Sequence, residues 1–68
     1  MNAFLTNLHE TRSAKTGLID ATLSRAADEA RDITDIELAN IQALKLEIEK
    51  LDERIEQITD IEVRKAKA

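Results

Sequence analysis

The stretch ARDITDIELA, residues 30–39, decides the fold of this 68-residue chain, because it contains the signals of a helix start. Thr34 is followed three residues later by Glu37, which is the pattern of a capping box. In that motif the threonine hydroxyl accepts from the N–H of Glu37, and the glutamate carboxylate accepts from the N–H of Thr34. Asp35 adds negative charge to the first turn, where the helix dipole favours it. The pattern predicts a helix that starts at Asp35. One continuous helix through the stretch is the alternative, since neither glycine nor proline forces a break.

The composition predicts an all-α chain that associates with itself. Proline is absent, the only glycine is Gly17, and helix formers dominate. A chain this short buries too little surface to be stable without disulfides, a metal or a partner chain. With no cysteine and one histidine, neither a disulfide nor a histidine-rich metal site is available. Association is the remaining source of stability.

The charge balance argues against two classes of partner. Fourteen acidic and ten basic side chains give a net charge of −4, with no basic face for nucleic acid or an anionic membrane. No apolar run approaches the roughly 18 residues of a membrane span. We therefore expect neither nucleic acid nor membrane as a partner, and the lack of cysteine fits a cytoplasmic protein.

Residues 35–66 are predicted to form a long second helix that carries a coiled-coil seam. The seam residues recur in steps of three and four: Ile41, Leu44, Ile48, Leu51, Ile55 and Ile58. Four charges flank the seam: Lys45, Glu47, Asp52 and Arg54. A parallel pair of these helices sets Glu47 against Asp52, whereas an antiparallel pair matches opposite charges, Lys45 with Asp52 and Glu47 with Arg54. The sequence predicts antiparallel self-association wherever this helix pairs with a copy of itself.

The first helix is less regular. Its apolar stripe is read as Ile19, Leu23, Ala26, Ala30 and Ile33. Residues 1–17 are predicted to be a weak or frayed helix with Gly17 as a hinge, residues 18–31 to be helix 1, and residues 32–34 to be the turn and cap. Fourteen helical residues span about 21 Å, so the seam beyond about Lys50 is expected to be bare. The predicted fold is thus a helix-turn-helix hairpin in which part of the seam is exposed and available to a partner.

No catalytic, cofactor or metal site is predicted. The segment HETRS at 9–13 begins like a zinc-protease helix, but Ser13 stands where the second histidine is needed. His9 is interpreted as a solvated helix residue. The acidic run at 32–37 lacks the glycine of a calcium loop, and the carboxylates of the second helix have no apolar pocket that could raise their pKa values. We expect no enzyme activity and no cofactor.

The segment ARDITDIELANIQALKLEIEKLDERIEQI, residues 30–58, resembles the N-terminal scaffolding segment, or delta domain, of tailed-bacteriophage major capsid proteins of the Hong Kong-type fold. The residues that carry the likeness lie in the turn and in the second helix. They are Arg31, Asp32, Ile33, Thr34 and Glu37, then Leu44, Glu47, Ile48, Leu51, Asp52, Arg54 and Ile55. The resemblance covers about half the chain well, and residues 1–29 loosely.

The resemblance implies a role in capsid assembly. Segments of this family lie inside the immature shell, help capsid subunits assemble into a procapsid, and are commonly removed by a maturation protease. The implied partners are copies of the chain, other capsid subunits and that protease. The implied location is the procapsid interior in the cytoplasm of the bacterial host. The chain would then be the front piece of a longer capsid polypeptide, although no recognisable cleavage sequence is visible.

A second interpretation stays open on the residues alone. An acidic coiled-coil adaptor or regulatory binding module, which sequesters a basic or helical partner, has the same seam and the same charge. A coding sequence that continues into a shell-forming domain distinguishes the capsid interpretation from this one.

Overall fold

The computed structural model describes residues 2–67, which form an antiparallel hairpin of two helices. Helix α1 runs over Ala3–Asp28 and helix α2 over Asp35–Lys67, and no strand occurs among the described residues. The Cα trace is elongated, with extents of 55 × 17 × 13 Å. The predicted all-α helical hairpin with a long second helix is confirmed. The start of α2 is as predicted, and its end differs by one residue.

The prediction that residues 1–17 form a separate or frayed helix is wrong for the described part of that segment; Met1 lies outside the described residues. Helix α1 continues through Gly17 without interruption. Its first turn is capped by Asn2, whose Oδ1 accepts from the backbone N–H of Phe4 at 2.8 Å and of Leu5 at 3.3 Å. The roughly 1 kcal/mol cost of a glycine inside a helix is outweighed by packing along the whole length of α1.

Helix α1 also ends earlier than predicted, at Asp28 rather than near Arg31. The N–H of Arg31 donates to the carbonyl of Ala26 at 3.0 Å, and the N–H of Ala30 donates to the carbonyl of Ala27 at 3.0 Å. This pair of hydrogen bonds is a Schellman motif. Ala30 has φ 49°, the left-handed conformation that the motif requires. The turn therefore covers residues 29–34 instead of 32–34.

The capping box predicted at the start of α2 is present. The N–H of Glu37 donates to Thr34 Oγ1 at 3.0 Å, and the N–H of Thr34 donates to Glu37 Oε1 at 2.9 Å. The Thr34 carbonyl accepts the first helical hydrogen bond, from Leu38, at 2.8 Å. The alternative of one continuous helix through residues 30–39 is therefore wrong.

The core lies in the single layer between the two helices, and it is thin. Ala26, which is 5% exposed, is the only buried residue among those described. All six predicted seam residues of α2 are half-buried, including Leu51, Ile55 and Ile58 beyond Lys50. The expectation of a bare seam beyond Lys50 is wrong, because α1 has 26 residues and spans about 39 Å.

Candidate interaction surface

The seam of α2 is covered by a heptad-spaced face of α1 that sequence reasoning missed. Its members are all buried or half-buried: Leu5, Leu8, Arg12, Lys15, Ile19, Thr22 and Ala26. The steps are three and four throughout, which is the spacing that keeps one helix face on a neighbouring helix. Leu23 and Ala30, placed in the predicted α1 stripe, are exposed instead. The observed face shares Ile19 and Ala26 with the predicted stripe, but it has Thr22 in place of Leu23 and continues towards the N-terminus through two charged residues.

Two ion pairs explain how Arg12 and Lys15 occupy positions along an apolar seam. Arg12 Nε donates to Asp52, and Lys15 Nζ donates to Glu47 Oε2 at 2.8 Å. Long basic side chains can lay their methylene stems over apolar surface while the charged ends reach carboxylates at its edge. The hydrogen bond from Arg12 lowers the pKa of the Asp52 carboxyl group below its ordinary value. The polar segment at 9–17 is thus part of the helix interface.

These pairs use two of the four predicted flank charges within one chain. Asp52 and Glu47 contact α1, whereas Lys45 and Arg54 are exposed and make no salt bridge within residues 2–67. Within one chain α1 and α2 pack antiparallel, and the antiparallel direction for two copies of α2 stays a prediction. Pairing of α2 with another α2 through the same seam would require the hairpin to open.

Arg31 organises the turn between the helices. Its Nη1 donates to Glu37 Oε1 at 2.8 Å and to the Asp32 carbonyl at 2.9 Å, and its Nη2 also lies 3.3 Å from Glu29 Oε2. The hydrogen bond from Arg31, followed by that from the Thr34 N–H, lowers the pKa of Glu37 to about 2. Glu37 therefore joins the turn to the start of α2, in addition to capping α2.

Large apolar side chains remain exposed at both ends of the hairpin. Near the turn are Leu18, Leu23, Ile36, Leu38 and Leu46, and near the open end are Phe4, Ile61 and Val63. Ile36 is 75% exposed and Leu46 is 59% exposed. Single exposed leucines are ordinary on a protein surface. Five of these eight side chains lie in the turn half, so the turn half exposes more large apolar side chains than the open half.

One shallow groove on the turn half lies between the helices. Its lining comes from both of them: Leu18 and Thr22 on α1, and Asn40, Ala43, Leu44 and Glu47 on α2. A second depression follows α2 alone and is lined by Glu53, Glu56, Gln57, Thr59, Asp60 and Val63. Only the first groove is bordered by two helices, which is the geometry that accepts a third helix.

The described residues contain no group of three or more His, Cys, Asp or Glu side chains that could hold a metal ion. Over the same part of the chain, neither helix is long and apolar enough to cross a membrane. Comparisons with family models, with curated proteins and with solved structures gave no match. The function must therefore be argued from the hairpin itself.

Proposed function

We propose that this chain is a self-associating scaffolding segment that directs phage capsid subunits into a procapsid. In this proposal it acts in the procapsid interior, in the cytoplasm of the bacterial host, as part of a longer capsid polypeptide. Its partners are copies of itself and other capsid subunits. A maturation protease removes it once the shell has formed.

The observation that carries the proposal is the amount of surface that the hairpin exposes. Its accessible area is 5306 Å², whereas a compact monomer of 7.6 kDa exposes roughly 4,300 Å². The difference of about 1,000 Å² is similar to the roughly 800 Å² per partner buried in a stable protein interface. A hairpin in which one alanine is the only buried residue among those described is the kind of unit that gains stability by association.

The geometry of the turn supports the capsid interpretation of that association. Arg31, Thr34 and Glu37 carry the resemblance to delta domains, and these three side chains hold the turn together by hydrogen bonds. The residues that carry the resemblance therefore have a defined structural role in this hairpin.

The experiment is expression of the whole coding sequence in bacteria, with and without residues 2–67, followed by electron microscopy of the particles. We expect closed, uniform shells from the intact protein, and aberrant shells or soluble subunits from the deletion. Normal shells from the deletion variant would contradict the assembly role. A reading frame that ends at residue 68, in a chain that still self-associates, would instead favour the adaptor.

A further inference from the structure

Helix α1 carries a second, uncharged stripe that does not face α2. Its members are all exposed and follow steps of three and four: Phe4, Asn7, Thr11, Ala14, Leu18 and Ala21. In a chain with 35% charged residues, an exposed face without charge over this length is unusual. Ala14 and Ala21 are small, so another helix could approach closely on either side of Leu18.

Helix α2 has a matching uncharged line on the same side of the hairpin. Ile36, Asn40 and Ala43 are exposed and share one helix face, since they are four and three residues apart. Leu18 of the first stripe and Ala43 of this line border the same groove. The two lines therefore form one two-helix surface, which we call the groove face: Ala14, Leu18 and Ala21 with Ile36, Asn40 and Ala43.

A different side of α2 is acidic. Lys45, Glu49, Asp52 and Glu56 follow one another in steps of four, three and four, and all are exposed. At 100° per residue this line lies about 120–180° around the helix from Ala43. Asp52 is paired with Arg12 of the same chain, but Glu49 and Glu56 make no salt bridge within residues 2–67, so two copies meeting through this side would repel. Glu47 also borders the groove, but its carboxylate is paired with Lys15 of the same chain, so the groove face is the side on which a second copy can approach.

We infer that a second copy of the hairpin docks on the groove face, with the same face of both copies in contact, to give a four-helix bundle. This inference rests on the self-association in the proposed function, and it specifies which surface is used. The partner is a second copy because the same apolar surface is present on both, as a two-fold interface requires. The hairpin as a whole exposes about 1,000 Å² more than a compact monomer of its mass, and a stable interface buries roughly 800 Å² per partner. The hairpin seam stays intact, because α1 and α2 remain paired within each copy.

The test uses a matched pair of variants in the 68-residue chain, Leu18→Glu and Leu23→Glu, studied by sedimentation equilibrium. Leu18 is 57% exposed and Leu23 is 47% exposed, so the hairpin tolerates either glutamate. The two positions lie about 140° apart around α1. We expect a dimer for the native chain, a dissociation constant raised by roughly 100-fold or more in Leu18→Glu because a charge is buried at the interface, and little change in Leu23→Glu.

A footprint supplies a second readout that does not depend on an added charge. Since the native chain has no cysteine, single cysteines can be placed by Leu18→Cys, Ala43→Cys and Leu23→Cys. We expect alkylation to slow with rising protein concentration at positions 18 and 43 but not at position 23. Circular dichroism of each variant confirms that the hairpin is folded.

The outcomes test separately whether the chain self-associates and which surface it uses. A native chain that stays monomeric at all concentrations would overturn both this inference and the self-association on which it rests. A native dimer that survives Leu18→Glu, or protection at position 23 in place of 18 and 43, would overturn the groove face alone and leave the proposed function standing.

Discussion

Among the described residues, Ala30 is the only non-glycine residue with a positive φ, a conformation that its side chain disfavours. Its φ of 49° lies in the left-handed region, which costs an L-residue with a Cβ roughly 1–2 kcal/mol. Glycine is the usual residue at this position of a Schellman motif, because it lacks the Cβ. The turn therefore keeps a strain that a single substitution can remove.

We predict that Ala30→Gly stabilises the hairpin. The relief of strain exceeds the added chain entropy of a glycine, for a net gain of about 0.5–1 kcal/mol, or a few degrees in Tm for a domain of this size. Thermal unfolding followed by circular dichroism measures the gain. Ala27→Gly, inside α1, is the control and should destabilise. A lower Tm for Ala30→Gly would contradict the left-handed turn.

Glu37 links the stability of the turn to pH. Its folded pKa of about 2 lies below its ordinary value of 4.5, chiefly because the carboxylate accepts hydrogen bonds from Arg31. A depressed carboxyl pKa contributes stability that is present above the unfolded value and is lost as pH falls through the folded value. The contribution of Glu37 should therefore disappear between about pH 4.5 and pH 2.

The expected result is that Glu37→Gln is less stable than the native chain at neutral pH, and that the gap in Tm narrows as pH falls through this window. Arg31→Gln should behave similarly, because it removes the donor that depresses the pKa. Melting curves at several pH values between 7 and 2 measure the difference in Tm between each variant and the native chain. A gap that stays constant down to pH 2 would count against the Arg31–Glu37 interaction.

At the scale of the helices, Gly17 is the weak point of α1. It lies inside a continuous helix, and a Cβ built on it meets no atom within 4 Å. Neither its backbone conformation nor its surroundings require a glycine. It lies on the exposed side of α1, away from α2, which leaves room for a larger residue.

We predict that Gly17→Ala stabilises the hairpin by about 1 kcal/mol, which is the difference between the two residues inside a helix. Urea unfolding gives the free energy directly. Ser24→Ala, at another exposed position of α1, is the matched control with a smaller expected gain. No gain from Gly17→Ala would indicate that the helix is frayed over residues 3–17 in solution, as the sequence alone had suggested.

At the scale of the whole molecule, everything depends on one helix–helix interface. Each helix alone has little tertiary support, and isolated helices are marginal in water even when their sequence is favourable. The half-buried seam is therefore more important for folding than the exposed apolar residues on the outer faces. Ile48 lies in the middle of that seam, and Leu46 lies two residues away on the exposed side.

The matched pair Ile48→Asp and Leu46→Asp distinguishes the contribution of the half-buried seam to folding from that of the exposed outer face. Ile48→Asp puts a charge against the apolar face of α1 and should destabilise by several kcal/mol, enough to unfold a hairpin this small. Leu46→Asp replaces a side chain that is 59% exposed, so the chain with this substitution should keep its helical content. Helical content by circular dichroism at 25 °C is the measurement. Equal helical content in the two variants would contradict the conclusion that the seam holds the two helices together.

The sequence by itself determined the features that depend on neighbouring residues. The capping box of Thr34 and Glu37 could be predicted because its hydrogen bonds join residues three apart. The seam of α2 could be predicted because its spacing is regular and every member is apolar. Both signals are local, so no knowledge of the rest of the chain is needed to recognise them.

Only the tertiary structure decided how far α1 extends and which face it uses. Arg12 and Lys15 interrupt any apolar stripe, so the sequence pattern favours a break at 9–17. Their partners, Asp52 and Glu47, are 40 and 32 residues away. These ion pairs exist only after the chain has reversed at Ala30. Because the two charges are accommodated by contacts across the hairpin, α1 stays helical to Ala3 and covers the seam that the sequence had left for another chain.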